Sequence, residues 1–273
     1  MARLHGFEFE DLPGFPALIR DLVTDYLRAV VSAGRFYQPI IDLLARAVRE
    51  SESDGLLDLC SGGGGPVVVI LSELENRFEL KIDCTLTDRY PSLTALRQLA
   101  NLAPGRIHFV AEPVDAATVP AYLGGFRTFF NAFHHFPPEK ARQILRDAVE
   151  NAPGIAIFEL VERTRLKFFL ILLSPLWSFL ITPFIRPFSW RRLLFTYVIP
   201  LVPFVALWDG LVSVLRSYKV SELRDLADSV KSGNFIWQAG RRRNFLGIPV
   251  VFLIGYRRPS GRVKSASEKP GRK

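Results

Sequence analysis

The chain has 273 residues, 49% hydrophobic and 12% aromatic, enough to bury the core of one large domain or of a core domain carrying an insertion. Its formal charge of +8 is uneven: residues 257–273 hold seven Lys and Arg against one Glu, leaving about +2 for everything before them. That tail, rich also in Ser, Gly and Pro, reads as a disordered basic extension, and the remainder lacks the basic patch with interleaved aromatics of a nucleic-acid binder, so no nucleic-acid partner is expected.

The first sixteen residues, MARLHGFEFEDLPGFP, are acidic and aromatic and lack the basic-then-apolar pattern of a signal peptide. Helical spacing of Leu18, Leu22, Tyr26 and Leu27 predicts a helix over 17–31, and Ile40, Leu43, Leu44 and Ala47 a second over 39–49. Residues 1–50 are therefore expected to form an N-terminal helical cap. An α/β core follows over 51–165. Strands are predicted at 56–60, 80–87, 107–110, 127–131 and 155–160, with helices at 66–75, 92–101 and 138–150 between them. Strand–helix alternation with short loops favours a parallel sheet covered on both faces. After a helix at 221–230, residues 235–238 and 249–256 follow each other without a helix and predict a closing antiparallel pair. The C-terminal part of the core thus spans 211–256, and 257–273 is the basic tail. Cys60 and Cys84 fall on predicted strands without CxxC spacing, which predicts buried thiols in a reducing cytoplasm.

Residues 166–210 interrupt this pattern. They hold two apolar runs, FFLILLSPLWSFLITPFI and LLFTYVIPLVPFVALW, separated by Arg186, Arg191 and Arg192. Each is shorter than the roughly 20 apolar residues of a crossing helix and is broken by prolines. A hydrophobic lid or an interfacial membrane element over 166–208 ranks first, ordinary core or dimer packing next, and spanning last.

The segment LLDLCSGGGGP, residues 56–66, carries the chemistry. An apolar strand breaks into four glycines and resumes as an apolar helix, the geometry that lets backbone approach a nucleotide-like ligand. A GxGxxG register fails, because the third glycine falls on Val67 or Val68, and no GK(S/T) follows for a phosphate loop. Asp88 closes the second strand, where a carboxylate accepts from ribose hydroxyls; the competing role is a charge before the next helix. Asp115, followed by Ala116, lies after the third strand. Asn131 ends the fourth strand ahead of His134 and His135, at the sheet edge where ligands bind; either histidine could take a proton from an acceptor. Glu159, Glu162 and Asp209 could orient an acceptor, though spacing supports no metal cluster. Tyr26 and Tyr37 could close over a ligand, with core packing the stronger expectation.

With these residues the chain resembles the class I S-adenosylmethionine-dependent methyltransferases, whose first motif is an apolar strand followed by (D/E)xGxGxG. Asp58-Leu59-Cys60-Ser61-Gly62-Gly63-Gly64 matches it, except that Cys60 stands at the first glycine. The resemblance covers about 56–160, with the closing strands in order. It implies a Rossmann-like seven-stranded, mostly parallel sheet with an antiparallel last strand, and S-adenosylmethionine as cofactor. Asp58 would hold the methionine amino group through the loop, Ser61, Gly62, Gly63 and Gly64 would approach the cofactor, Asp88 would take the ribose, and Asp115 with Ala116 the adenine. The apolar insertion suggests a small lipophilic acceptor, met by a cytoplasmic protein peripheral on the cytosolic membrane face. The alternative is a non-catalytic methyltransferase-like module that interacts with membranes.

Overall fold

Seven strands form one sheet, in the order β3-β2-β1-β4-β5-β7-β6. A computed structural model describes residues 2–230, 232–245 and 247–258 of the chain. Two cap helices, α1 (Ala17–Ala33) and α2 (Ile41–Glu50), precede the sheet. The core then alternates: β1 (Gly55–Leu59), α3 (Val67–Phe78), β2 (Asp83–Thr87), α4 (Leu93–Leu102), β3 (Ile107–Phe109), β4 (Phe126–Phe130), α5 (Pro138–Asn151) and β5 (Gly154–Glu159). All pairings among β1 to β5 are parallel. The Rossmann-like, mostly parallel arrangement with an antiparallel end is thus present.

Strand β5, between β4 and β7, is buried along its whole length, as a strand covered on both faces must be. Ala156 and Phe158 face a cluster that includes Ile41, Leu44 and Leu74, whereas Ile155 and Ile157 face one with Ile144, Leu145 and Leu223. Helix α3 shows how the pattern is made. Val67, Ile70, Leu71 and Leu74 recur at helical spacing and are buried, and Glu79, at φ +52°, ends the helix in a left-handed turn.

Several boundaries differ from expectation. Asn131 is off the strand, at φ +54°, so β4 closes one residue earlier. The second strand begins at Asp83 rather than Leu80. The final antiparallel pair is longer than predicted: β6 runs Phe235–Arg243 and β7 Pro249–Arg257. Arg257 therefore belongs to the sheet; beyond Arg258, the expected basic extension lies outside the described residues.

The apolar insertion is a set of short helices: α6 (Arg165–Ile171), α7 (Ser174–Ile181) and α8 (Trp190–Leu193), with a π-helical turn at Leu194–Val198. Its last helix, α9 (Leu201–Arg216), continues past the expected boundary at 210 and delivers the buried Arg216 to the core. Helix α10 (Val220–Asp228) then leads into β6. Ile19, Leu22, Val23 and Tyr26 of α1 pack with Ile185, Val202, Val205 and Ala206, so the cap and the insertion share one small core.

Candidate functional site

The chain runs outward from β1 through β2 to β3, then returns to place β4 on the other side of β1. This reversal opens a crevice at the carboxyl ends of the strands, the place where open α/β sheets bind ligands. A cavity of about 470 Å³ lies there. Its walls come from the segments after β1, β2, β3 and β4, and α1 covers it, contributing Arg20, Asp21, Thr24 and Leu27.

The glycine segment forms the floor. Ser61, Gly62 and Gly63 line the cavity; Gly64 does not. Gly62 and Gly64 have φ of +53° and +76°, which L side chains rarely adopt. A Cβ at Gly64 would lie 1.9 Å from Cδ1 of Leu99, which would have to move to admit a side chain there. Cys60 also lies in the left-handed region, at φ +57°. The backbone at this position has the glycine-like conformation although a side chain is present. Cys60 reaches the cavity and Cys84 is buried; burial pushes both thiols well above their ordinary pKa.

Asp88 sits at the end of β2 and faces the cavity. Its Oδ2 accepts the Gly62 N–H at 2.7 Å and its Oδ1 the Tyr90 N–H at 2.8 Å. Each oxygen retains a lone pair for a hydroxyl donor. Asp115 and Ala116 line the same cavity. Burial opposes ionisation of Asp115, but the Ala117 N–H at 2.9 Å and the Lys140 ammonium at 3.1 Å hold its pKa below the ordinary value. Asn131 lines the cavity too, while its Oδ1 accepts the backbone N–H of Leu160 at 3.0 Å.

Asp58 is elsewhere. It is 2% exposed, does not line the cavity, and accepts from the Thr128 hydroxyl at 2.7 Å. Burial pushes its carboxyl up to about 7, against the Thr128 hydrogen bond. Its carboxyl is bonded to Thr128 and Ser61 and lies outside the cavity lining.

The two histidines separate in the same way. His134 is buried and away from the cavity; its Nδ1 lies 2.7 Å from Glu159 Oε2. The other Glu159 oxygen accepts the Phe133 N–H at 2.7 Å, so this carboxylate organises the turn after β4. His135 lines the cavity, with Nδ1 2.8 Å from Asp11 Oδ1 and Nε2 3.5 Å from Glu8 Oε2. Burial disfavours its charge, but Glu8 and Asp11 override it and raise the pKa to about 9. With that pKa, His135 at neutral pH is an imidazolium whose two ring nitrogens face Asp11 and Glu8 and are not free to accept a proton.

The N-terminal segment supplies residues the sequence did not nominate. Glu10 and Asp11 line the cavity. Asp209 of α9 holds them there by accepting the N–H groups of Phe9 at 2.8 Å and Glu10 at 3.2 Å. Burial raises Glu10 to about 8, and Asp209 and Glu8 push in the same direction. Glu10 is thus a cavity carboxyl poised near neutral pH. The signal was present in FEFED, an acidic group set among aromatics, but its partners lie about two hundred residues away along the chain. Tyr37 lines the cavity, whereas Tyr26 packs against the insertion and donates to Ser174 O at 3.3 Å. Glu162 pairs with Arg241 rather than facing a ligand.

One cluster has the composition of a metal site. Glu8, His134 and His135 bring ligand atoms within 4.8 Å of one another. The Arg216 guanidinium already lies 3.1 Å from Glu8 Oε1, so a fixed cation balances the one carboxylate of the cluster. We assign no metal there.

No protein-family model matches the chain, and no curated protein matches it. Among solved structures it is similar to the pyocyanin biosynthetic protein PhzM, at 15% identity and a TM-score of 0.45 over 75% of this chain and 50% of that one. It is similar to the S-adenosylmethionine-dependent methyltransferase SibL, at 15% identity and a TM-score of 0.48 over 82% and 56%. The magnesium protoporphyrin IX methyltransferase ChlM of Synechocystis PCC 6803 shares 13% identity at a TM-score of 0.45 over 81% and 83%. The chain therefore spans only about half the length of PhzM and SibL. Likenesses this distant carry no functional assignment, which rests on the cavity.

Proposed function

We propose that the protein is an S-adenosylmethionine-dependent methyltransferase acting on a small lipophilic acceptor. The observation that carries this is the joint placement of the left-handed Gly62 floor, Asp88 and Asp115 around one cavity at the crevice of the sheet. The donor set suits the cofactor. Carboxylates accept from ribose hydroxyls and from an exocyclic amine, and a bare backbone floor permits close approach. Ser61 to Gly63, Asp88, Asp115 and Ala116 would hold it, and its sulfonium would supply an electrophilic methyl group.

The chain's own contribution is positioning and exclusion of water. Helix α1 covers the cavity, and Arg20 stacks 4.9 Å over the Tyr90 ring, linking cover to floor. Glu10, with its raised pKa, is the candidate to take a proton from an acceptor hydroxyl. Leu27, Val31, Phe130 and Phe136 give the remaining wall an apolar character suited to a lipophilic acceptor. Calorimetry with S-adenosylmethionine and S-adenosylhomocysteine tests the proposal. One-to-one binding of both is expected; well-folded protein that binds neither rules it out.

A further inference from the structure

The insertion buries polar side chains beside its small apolar core and leaves large apolar ones outside. Ser178, Thr182, Thr196 and Arg192 are at most 2% exposed. Outward instead point Phe184 at 79%, Trp190 at 76%, Val198 at 72% and Leu166 at 69% exposure. So many large apolar side chains exposed along one segment is not a normal feature of water-facing helices. The four buried polar side chains are paired within the protein, Thr182 with Thr196 at 3.4 Å. Arg192 donates to Asp25 at 2.6 Å and to Ile185 O at 3.0 Å, and Ser178 donates to Pro175 O at 2.8 Å. Polar groups turned inward and paired, with apolar side chains outward, is the arrangement a hydrocarbon environment requires.

Charge identifies the occupant. Residues 163–208 contain six Lys and Arg and no Asp or Glu. Arg165, Arg186 and Arg191 are exposed among the apolar side chains. Exposed Trp177, Trp190 and Tyr197 add the aromatic residues that favour the level of lipid headgroups. Among the described residues no single helix is long and apolar enough to cross a membrane. The two pairs with sufficient combined length are bent by 43° and 74°. Bent, short helices with a basic and aromatic fringe fit a shallow position in one leaflet.

We propose that the outer face of α6–α9 docks on an anionic phospholipid bilayer, with acyl chains covering Phe184, Trp190 and Val198 and lipid phosphates meeting Arg186 and Arg191. Docking requires nothing of the methyl-transfer proposal. It would bring the cavity to the membrane surface, because one face of α1 packs on the insertion through Leu22 and Val23 while Thr24 and Leu27 line the cavity.

Flotation of the full chain with vesicles of phosphatidylcholine, with or without phosphatidylglycerol, is the test. The chain should float with the mixed vesicles and partly release at high salt. Phe184→Ser combined with Trp190→Ser should lower partitioning at least roughly tenfold, given the apolar area lost. Arg186→Glu combined with Arg191→Glu should remove the preference for anionic vesicles. All four side chains are exposed, so the variants should retain the wild-type melting temperature and the same calorimetric response to S-adenosylmethionine. Bromines placed at shallow acyl positions should quench the tryptophan fluorescence more than bromines at the bilayer centre. The proposal is overturned if the wild type stays unbound at low salt, or if both double variants float as it does. It also fails if deletion of residues 259–273 alone abolishes flotation, or if the apolar double variant instead splits a stable dimer that never binds vesicles.

Discussion

The backbone N–H of Gly62 points at the carboxylate of Asp88, 2.7 Å away, tying the glycine floor to the end of the neighbouring strand. With Tyr90 N–H on its other oxygen, Asp88 is held in place before any ligand arrives. One carboxylate thus shapes the floor and offers acceptors to the cavity.

Asp88→Ala should weaken S-adenosylmethionine binding roughly 10- to 100-fold, the range expected for hydrogen bonds to a charged group. Calorimetry reads this directly. An unchanged affinity would remove Asp88 from the ligand site and leave it the Gly62 and Tyr90 contacts.

Cys60 has a side chain on a left-handed backbone, a conformation that costs an L-residue roughly 1–2 kcal/mol. Cys60→Gly should relieve that strain while giving the unfolded chain more freedom, for a net change within about 1 kcal/mol. Cys60→Val, branched at Cβ, should lose more than about 1 kcal/mol and loosen ligand binding. Urea denaturation of the two variants checks the sign. Equal stabilities would mean that the turn relaxes more easily than its dihedral angles suggest.

The alternation of strands and helices was legible because each element has its own local period, as in Val67, Ile70, Leu71 and Leu74 of α3. The glycine floor was legible for a related reason, since left-handed backbone demands a particular residue type in place. What the sequence concealed depends on contacts across the whole chain. Asp58 matches the motif by spacing, yet its side chain turns toward Thr128 on β4, a direction set by sheet pairing. Glu10 and Asp11 reach the cavity only because Asp209 and Arg216, at the far end of the insertion, hold the N-terminal segment across α9. Asn131 continues an apolar strand pattern, and only its bonds to Leu160 and Val161 explain why the chain turns there.

Asp58, outside the cavity lining, has a stability consequence that a ligand-facing acid would not. Asp58→Ala leaves the buried Thr128 hydroxyl unpaired and should cost about 1–3 kcal/mol. Asp58→Asn keeps an acceptor for that hydroxyl. Because the folded carboxyl is raised to about 7, the stability associated with its neutral form is complete below the ordinary 3.8 and is lost as pH rises through about 7. Asp58→Asn should therefore match the wild type in acid and exceed it at pH 8. Thermal melts across that range decide; a wild type equally stable at both ends places the acid in a wetter setting.

Glu10→Gln should leave cofactor affinity within a few fold and lower turnover roughly 10²- to 10⁴-fold, the range for loss of a proton acceptor. In the wild type, turnover should rise with pH as the Glu10 carboxyl, raised to about 8 by burial, gives up its proton. The variant should lose that limb of the profile. A variant with full turnover and the original profile would assign proton removal to another group or to solvent.

His135 offers a pH signature of the opposite chemical kind. Glu8 and Asp11 hold its ring as an imidazolium, with a folded pKa of about 9 against an ordinary 6.5. Its contribution to stability is fully present below 6.5, declines above it and is lost as pH rises through about 9. His135→Gln should accordingly melt below the wild type at pH 6, and the gap should close by pH 10. Asp11→Asn removes one of the two carboxylates and should narrow the window by lowering the His135 pKa, which NMR titration of the ring can follow. A gap that persists unchanged to pH 10 would mean that His135 stabilises the site by packing, and the Asp11–His135–Glu8 contact would then carry no net charge pairing.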